Sequence, residues 1–214
     1  MAERERRWGW MAVPLAAVAL WAVTCGKNDP DGDGRSGRPG ASGSPTASKT
    51  KKLGERDPAR FAGDVRRYAK KAGVSARLLM TILYNEADKP HDPELERAWQ
   101  KFKRDAAFGI ANMHRAAFDE AKRGRFADRR WEELPDDPSL AVEAAAWYLH
   151  DLARALPAAR SDAYTRNELL AMGYNAGAGN MRAFARGVAP GRDARSYLER
   201  FRENGPAAEK ALRS

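Results

Sequence analysis

Three Asp-Pro pairs, at positions 57–58, 92–93 and 137–138, divide the later part of the chain into segments that can each begin a helix. Aspartate is a preferred N-cap, and proline is favoured at the first helical position because its missing N–H would be unsatisfied there anyway. From the first pair onward, apolar residues recur at helical spacing and strand signals are scarce. This part of the chain is therefore predicted to be mostly α-helical.

Local signals place the boundaries of the first helices. The first helix is predicted to start at Pro58 and to stop at Gly73, since glycine readily adopts the left-handed conformation that ends helices. Ser75 can cap the next helix. The apolar face of the first helix is expected to carry Phe61, Val65, Tyr68 and Ala69.

The later helices have signals of the same kind. Pro138 opens SLAVEAAAWYLHDLARAL, the strongest helical pattern in the chain. Thr165 and Glu168 have the spacing of a capping box at the start of NELLAMGYNAG, which Gly177 is expected to end. Shorter helices are predicted at 181–185 and 194–202.

The first 25 residues have the pattern of a targeting segment. Three arginines among residues 4–7 precede a 16-residue apolar run from Trp8 to Val23. A basic stretch followed by an apolar one of this length is typical of a secretory signal peptide. The run falls short of the roughly 20 residues that span a bilayer comfortably and contains Pro14, although an uncleaved membrane anchor stays open. An extracytoplasmic protein is expected, either secreted or tethered to the membrane.

Residues 26–56 form a predicted disordered linker, because Gly, Ser, Pro and charged residues dominate there and apolar side chains are almost absent. The folded domain is predicted to span residues 57–214. Cys25 is the only cysteine, so no internal disulfide can form. Its position resembles a bacterial lipoprotein box, which makes Cys25 a candidate for lipidation. Ala22 and Thr24 depart from that pattern, which prefers leucine and a small residue at these positions.

The formal net charge of +9 favours polyanionic partners, such as nucleic acid, anionic lipid or an acidic cell wall. A basic surface without a specific partner explains the charge equally well. Nucleic acid is not expected, because the lysines and arginines are scattered and no nucleic-acid motif accompanies them. The three histidines lack the close spacing of metal ligands, so neither a metal nor a cofactor is expected.

Glu86 interrupts an otherwise apolar helix face. In the helix that Ser75 can cap, positions 79, 82, 83 and 86 form one stripe, and the first three are Leu, Ile and Leu. One interpretation is that the helix frays here and Glu86 reaches solvent. The other is that Glu86 lies at the edge of the core in a half-dry cleft. Burial there would disfavour the charged form and favour a protonated carboxyl that can act as a general acid.

Four segments of the chain carry a recognisable pattern: LLMTILYNEAD, AAFGIANMHRAAFDEA, LLAMGYNAGAGNM and ARSYLERF. In this order they resemble the soluble lytic transglycosylases, over roughly residues 58–203. The most specific piece is GYNAGAGNM, which is close to the Ala-Tyr-Asn-Ala-Gly signature of that family. The resemblance implies a lysozyme-like helical domain of the goose type, expected to be a monomer, whose partner is the glycan strand of bacterial peptidoglycan.

The resemblance also implies roles for individual residues. Glu86 takes the position of the catalytic glutamate. Tyr174 takes that of the signature tyrosine, which approaches this carboxyl and orients it. Asn175 corresponds to an asparagine that helps to shape the site, and Tyr197 to a late tyrosine near the cleft.

A second group of implied residues lies in FGIANM, where the family has Gly-Leu-Met-Gln lining the glycan groove. Gly109 and Asn112 belong to this segment, and Asn112 is one methylene shorter than the usual glutamine. Ala87 replaces a serine that supports the acetamido group of the substrate. The stretch 88–107 is longer than usual and is predicted to form an inserted helix or lid beside the groove.

The implied reaction is cleavage of the β-1,4 bond between N-acetylmuramic acid (MurNAc) and N-acetylglucosamine (GlcNAc). A single glutamate acts as acid and then as base, and the products carry 1,6-anhydro-MurNAc ends. Three alternatives stay open. The same site is a lysozyme-type hydrolase if water attacks instead. Ala87 and Asn112 are compatible with a non-catalytic peptidoglycan-binding module, and a membrane-tethered scaffold with a basic surface would have a similar composition.

Overall fold

The computed structural model describes residues 57–87, 89, 91–103 and 106–214 of the chain. The predicted targeting segment at 1–25, with Cys25, and the predicted linker at 26–56 lie outside the described residues. Within the described part, no helix is both long enough and apolar enough to cross a bilayer.

Seven α-helices and one two-stranded hairpin make up most of the described residues. In chain order the α-helices are α1 (Ala62–Ala72), α2 (Ala76–Glu86), α3 (Pro93–Gln100), α4 (Arg115–Ala121), α5 (Pro138–Ala155), α6 (Arg166–Ala185) and α7 (Arg192–Arg213). Strands β1 (Ala107–Phe108) and β2 (Met113–His114) pair antiparallel between α3 and α4. Short 3-10 helices lie at Pro58–Phe61 and Trp131–Glu133. The prediction of a mostly α fold is confirmed.

The side chains that the sequence indicated as helix caps do cap their helices. Ser75 Oγ accepts a hydrogen bond from the backbone N–H three residues later at 3.2 Å. Asp92 and Asp137 cap α3 and α5, and Thr165 and Glu168 form the capping box of α6. Each cap satisfies backbone donors that have no partner within the helix.

The first predicted helix is divided in two. Asp57 caps a 3-10 turn, in which Arg60 N–H donates to the Asp57 carbonyl at 3.1 Å, and α1 begins only at Ala62. The Asp57 carboxylate accepts from Ala59 N–H, two residues on, at 2.9 Å, and this close cap tightens the first turn. Gly73 ends α1 with φ of 67°, as predicted.

The predicted extents of the last helices are wrong. Gly177 leaves helical geometry, with φ of 84° and ψ of 161°, but the helix resumes at once, so α6 is kinked and continues past it. Glycine permits this break because it has no Cβ to clash at positive φ. α7 continues to Arg213, beyond the predicted end at residue 202. Its last turns bury Ala208 and Ala211 in the core, so tertiary packing extends the helix.

Helix α2 is the central helix of the domain, and eight of its 11 residues are buried. α7 packs along it, α1 and the first 3-10 helix pack beside it, and α5 packs against α1, α4 and α6. A helix surrounded in this way must be apolar on nearly every side. α2 meets this requirement with Leu78, Leu79, Met80, Ile82 and Leu83. Because Glu86 is the last residue of α2, its carboxylate lies at the edge of the core.

Candidate active site

Glu86 is buried, with only 3% of its surface exposed, and the interpretation in which it frays into solvent is wrong. Its carboxylate accepts three hydrogen bonds. Tyr197 Oη donates to Oε1 at 3.0 Å, and Asn112 Nδ2 donates to Oε2 at 3.1 Å. Lys89 Nζ also donates to Oε2, at 2.6 Å, and forms an ion pair with it. A buried charge is tolerated when it is paired and hydrogen-bonded in this way.

Tyr197 reaches Glu86 because α7 packs along α2. Asn85, one residue before Glu86, donates from Nδ2 to the Tyr197 carbonyl at 3.0 Å, and Asn204 Nδ2 donates back to Asn85 Oδ1 at 2.8 Å. These bonds fix the two helices next to the site. Burial, and then the negative charge of Glu86, raises the pKa of Tyr197 well above its ordinary value. The phenol therefore stays a hydrogen-bond donor at neutral pH.

Asn112 reaches Glu86 from the tight loop between β1 and β2. Its backbone has φ of 46°, and its N–H donates to the Gly109 carbonyl at 2.8 Å. Asparagine tolerates positive φ better than most residues. Gly109 has φ of 72°, and a Cβ there would lie 2.8 Å from the Leu134 carbonyl oxygen. Glycine is thus required at 109 for the loop to present the Asn112 amide to the carboxylate.

Tyr174 secures the same loop from the other side. Its hydroxyl donates to the Ala111 carbonyl at 2.8 Å, and its ring packs edge-on against Tyr148 with centroids 5.6 Å apart. Burial, then the nearby charges of Glu86 and Tyr148, raises the pKa of Tyr174 well above its ordinary value. The tyrosine that donates to Glu86 is thus Tyr197. Tyr174 instead bonds to Ala111, the residue before Asn112. Asn175 is exposed, just before the kink at Gly177.

Lys89 is a site residue that the sequence interpretation missed. Its side chain is 47% exposed, while the carboxylate that it pairs with is nearly inaccessible. The signal was present, since Lys89 lies three residues after Glu86, the spacing at which charged side chains meet on a helix. The apolar stripe on α2 indicates burial of Glu86 but gives no information about the cation that follows it.

Two further residues connect the insertion to the site. Glu96, on α3, accepts from Gly109 N–H at 2.8 Å through Oε2, and its Oε1 lies 3.0 Å from His91 Nδ1. His91 Nε2 donates to the Glu86 carbonyl at 3.3 Å. The predicted helix is present as α3. Its inner side is bonded to the β1–β2 loop through Glu96, and His91, which lies just before α3, connects it to the end of α2.

A cavity of about 530 Å³ lies between α2, α3 and the first 3-10 helix. Leu83, Ala87, Gly109 and Ile110 line it, so it adjoins the end of α2 and the loop that carries Asn112. Its size is in the usual range for small-ligand sites. In the described part of the chain, no group of three or more His, Cys, Asp or Glu side chains is arranged to hold a metal ion.

Comparison with known protein families found a match within the folded part of the chain. The model described as "Transglycosylase SLT domain" matches residues 64–193, which is more than half of the chain. The matched range contains Glu86, Gly109, Asn112, Tyr174 and Asn175, whereas Tyr197 lies just beyond it. A search of curated proteins found no significant match.

Proposed function

Because this chain belongs to the family of transglycosylase SLT domains, we propose that Glu86 is the single acid/base with which it cleaves peptidoglycan glycan strands. The family is one of lytic transglycosylases that act on peptidoglycan, which is an extracytoplasmic polymer. The observation that carries the assignment of Glu86 is its environment. It is a buried carboxylate, held by Tyr197 and Asn112, at the end of a helix that also lines a ligand-sized cavity.

In the first proposed step, protonated Glu86 donates its proton to the glycosidic oxygen between MurNAc and GlcNAc. The bond from this oxygen to the anomeric carbon of MurNAc breaks, and the GlcNAc side leaves with a free 4-hydroxyl. The 2-acetamido group of MurNAc stabilises the positive charge that develops at the anomeric carbon. Tyr197 and Asn112 stabilise the carboxylate that Glu86 becomes, because charge-assisted hydrogen bonds are stronger than neutral ones.

In the second step, the Glu86 carboxylate removes the proton from the 6-hydroxyl of the same MurNAc. The oxygen of that hydroxyl bonds to the anomeric carbon and closes the 1,6-anhydro ring. Glu86 is again protonated, and no water is consumed. A single group can serve both steps because each step leaves it in the form that the other requires.

Most glycosidases use a second carboxylate as nucleophile or base. Glu96 contacts the loop that carries Asn112, and both of its oxygens are engaged by His91 and by Gly109 N–H. Glu96 therefore connects α3 to the β1–β2 loop and is not a free base. This arrangement supports a mechanism with one carboxylate.

Lys89 has to move before Glu86 can reach the glycosidic oxygen through Oε2, because its ammonium group lies 2.6 Å from that atom. Its side chain is half exposed and can turn to solvent, whereas Tyr197 and Asn112 are fixed by packing and by the loop. We propose that the incoming glycan displaces Lys89 and so frees Oε2 of Glu86 for the glycosidic oxygen.

The alternative of a lysozyme-type hydrolase differs only in the nucleophile. Digestion of purified peptidoglycan in water enriched in oxygen-18, followed by mass spectrometry, separates the outcomes. Anhydro ends without the heavy isotope support the proposal. Reducing ends that carry it indicate hydrolysis. Intact strands after binding would leave a non-catalytic peptidoglycan-binding module, for which Ala87 gives some support. Glu203→Gln is a matched control for Glu86→Gln, since Glu203 is exposed on α7 and does not line the cavity.

Tethering to the membrane is also a proposal, through the apolar segment at 8–23 or through a lipid on Cys25. Incorporation of a labelled fatty acid in the native host, lost in Cys25→Ser, would support lipidation. Membrane retention of the unlabelled Cys25→Ser variant would indicate that the apolar segment is sufficient.

A further inference from the structure

The outward face of α3 carries a stripe of large apolar side chains. Leu95, Trp99 and Phe102 are 61%, 52% and 85% exposed, and Ala98 lies between them and is also exposed. The spacing i, i+4 and i+7 places them on one side of the helix and of the turn that follows it. We refer to these four residues as the α3 stripe. An exposed cluster of this kind is more informative than a single exposed apolar residue, because clusters mark binding surfaces.

The fold itself does not need the α3 stripe. No residue of α3 is buried. The helix is held to the domain by polar contacts on its other side, where Glu96 accepts from Gly109 N–H and Arg97 pairs with Asp136. The apolar side therefore faces away from the core while the polar side faces the site, which is the reverse of an ordinary surface helix.

Basic side chains flank the aromatic end of the stripe. Lys103 Nζ lies 4.6 Å from the centroid of the Trp99 ring, and Lys101 is exposed beside it. Within the described residues, neither lysine forms an ion pair. Lysines with long apolar stems next to a tryptophan are typical of helices that lie in the interfacial region of a bilayer, with their charged ends among the headgroups.

We propose that the α3 stripe docks on an anionic phospholipid surface. Leu95, Trp99 and Phe102 would enter the boundary between headgroups and acyl chains, and Lys101 and Lys103 would contact lipid phosphates. A flat aromatic platform for sugars would be surrounded by polar groups that bond hydroxyls, whereas, apart from Lys103, the residues beside Trp99 on this face are Leu95, Ala98 and Phe102. The net charge of +9 attracts the whole chain to the same kind of surface.

Docking would have a consequence for the site. α3 is bonded to the loop of Gly109 and, through His91, to the Glu86 carbonyl. A membrane-bound α3 would hold the cavity between α2 and α3 near the bilayer, where it meets the glycan strands closest to the membrane. Lipid binding requires no cleavage, so this proposal can be tested independently of the role of Glu86.

The test uses the full-length chain carrying Cys25→Ser, so that one new cysteine can be labelled with the fluorophore NBD. Phe102→Cys reports on the stripe, and Val188→Cys, at another exposed apolar position, is the control for mere proximity to lipid. Vesicles contain phosphatidylglycerol and phosphatidylcholine, or phosphatidylcholine alone. We expect a blue shift and an intensity gain of at least about twofold at position 102 with anionic vesicles, little change at 188, and loss of the gain in Leu95→Ser/Trp99→Ser.

Added salt at about 0.5 M should reduce the gain at position 102, because it screens lysine–phosphate attraction. Equal changes at 102 and 188, or none at 102, would overturn the proposal. So would a change at 102 that is produced by lipid-free glycan strands and not by vesicles, since that result would assign the stripe to sugar. Unchanged thermal unfolding of Leu95→Ser/Trp99→Ser is expected, because neither side chain packs against the hydrophobic core.

Discussion

Replacement of Tyr197 by phenylalanine removes one hydroxyl from the site and leaves the buried ring in place. The ring is 1% exposed and packed in the core, so the helix pair α2–α7 should stay intact. What is lost is the donor to Glu86 Oε1 at 3.0 Å. A hydrogen bond to a charged group contributes about 1.5–3 kcal/mol. If the bond is made to the carboxylate that forms in the transition state, its loss lowers kcat by about 10- to 100-fold.

Tyr174→Phe provides the comparison within the same site. Its hydroxyl donates to a neutral carbonyl, that of Ala111, at 2.8 Å, and a neutral bond contributes only about 0.5–1.5 kcal/mol. The loop that carries Asn112 should loosen, and kcat should fall by about 2- to 10-fold. Tyr84→Phe is a control, since its hydroxyl bonds to Asp57 away from Glu86.

The assay is release of soluble fragments from purified peptidoglycan, quantified by chromatography, with thermal unfolding measured for each variant. The expected order of loss is Tyr197 above Tyr174 above Tyr84. A Tyr174→Phe variant that loses as much activity as Tyr197→Phe, or more, would refute the reasoning, because the signature tyrosine would then act on the carboxylate directly.

Three further predictions concern the ion pair, the loop and the response to acid. Lys89→Met should cleave peptidoglycan at the wild-type rate or faster, because the incoming glycan then has no ion pair to displace; a loss as large as that of Tyr197→Phe would show that Lys89 takes part in the reaction. Gly109→Ala should destabilise the domain by about 1–3 kcal/mol, since the new side chain would combine positive φ with a close contact to Leu134. The control Gly63→Ala, in α1, should be neutral or stabilising. Equal melting temperatures for the two variants would contradict this prediction. Although burial alone raises them, hydrogen bonds from Arg129 and from backbone N–H groups hold the pKa values of Asp137 and Glu133 below their ordinary values. The stabilisation from these lowered pKa values is present at neutral pH and is lost as the pH falls through the folded-state pKa values. The difference in urea midpoint between wild type and Arg129→Met should therefore narrow below about pH 4. A difference that stays constant with pH would contradict this prediction.

The parts of the fold that were predictable from the sequence depend on local interactions. The caps at Ser75, Asp137 and Thr165 involve atoms within three residues, so their spacing in the chain is sufficient. The sequence could offer burial of Glu86 as one interpretation, because the helical period places Glu86 on the apolar face of α2. It could not decide between burial and exposure to solvent, since that depends on packing against α7, which is about 110 residues away.

The parts that could not be predicted depend on packing between distant segments. Tyr197 and Tyr174 both carry a phenol, and only the placement of α7 along α2 decides that Tyr197 bonds to Glu86. The C-terminal turns of α7 are helical because Ala208 and Ala211 find the core, which no local signal near residue 202 indicates. α3 was predictable from Asp92-Pro93, but its outward apolar face depends on which side Glu96 and Arg97 attach.

The claim that Glu86 moves the proton is tested most directly by Glu86→Gln, which keeps the side-chain shape and removes the titrating oxygen. Mass spectrometry of peptidoglycan incubated with the folded variant should find intact strands, while wild type under the same conditions releases fragments with 1,6-anhydro-MurNAc ends. Anhydro fragments produced by Glu86→Gln at a rate near that of wild type would contradict the assignment.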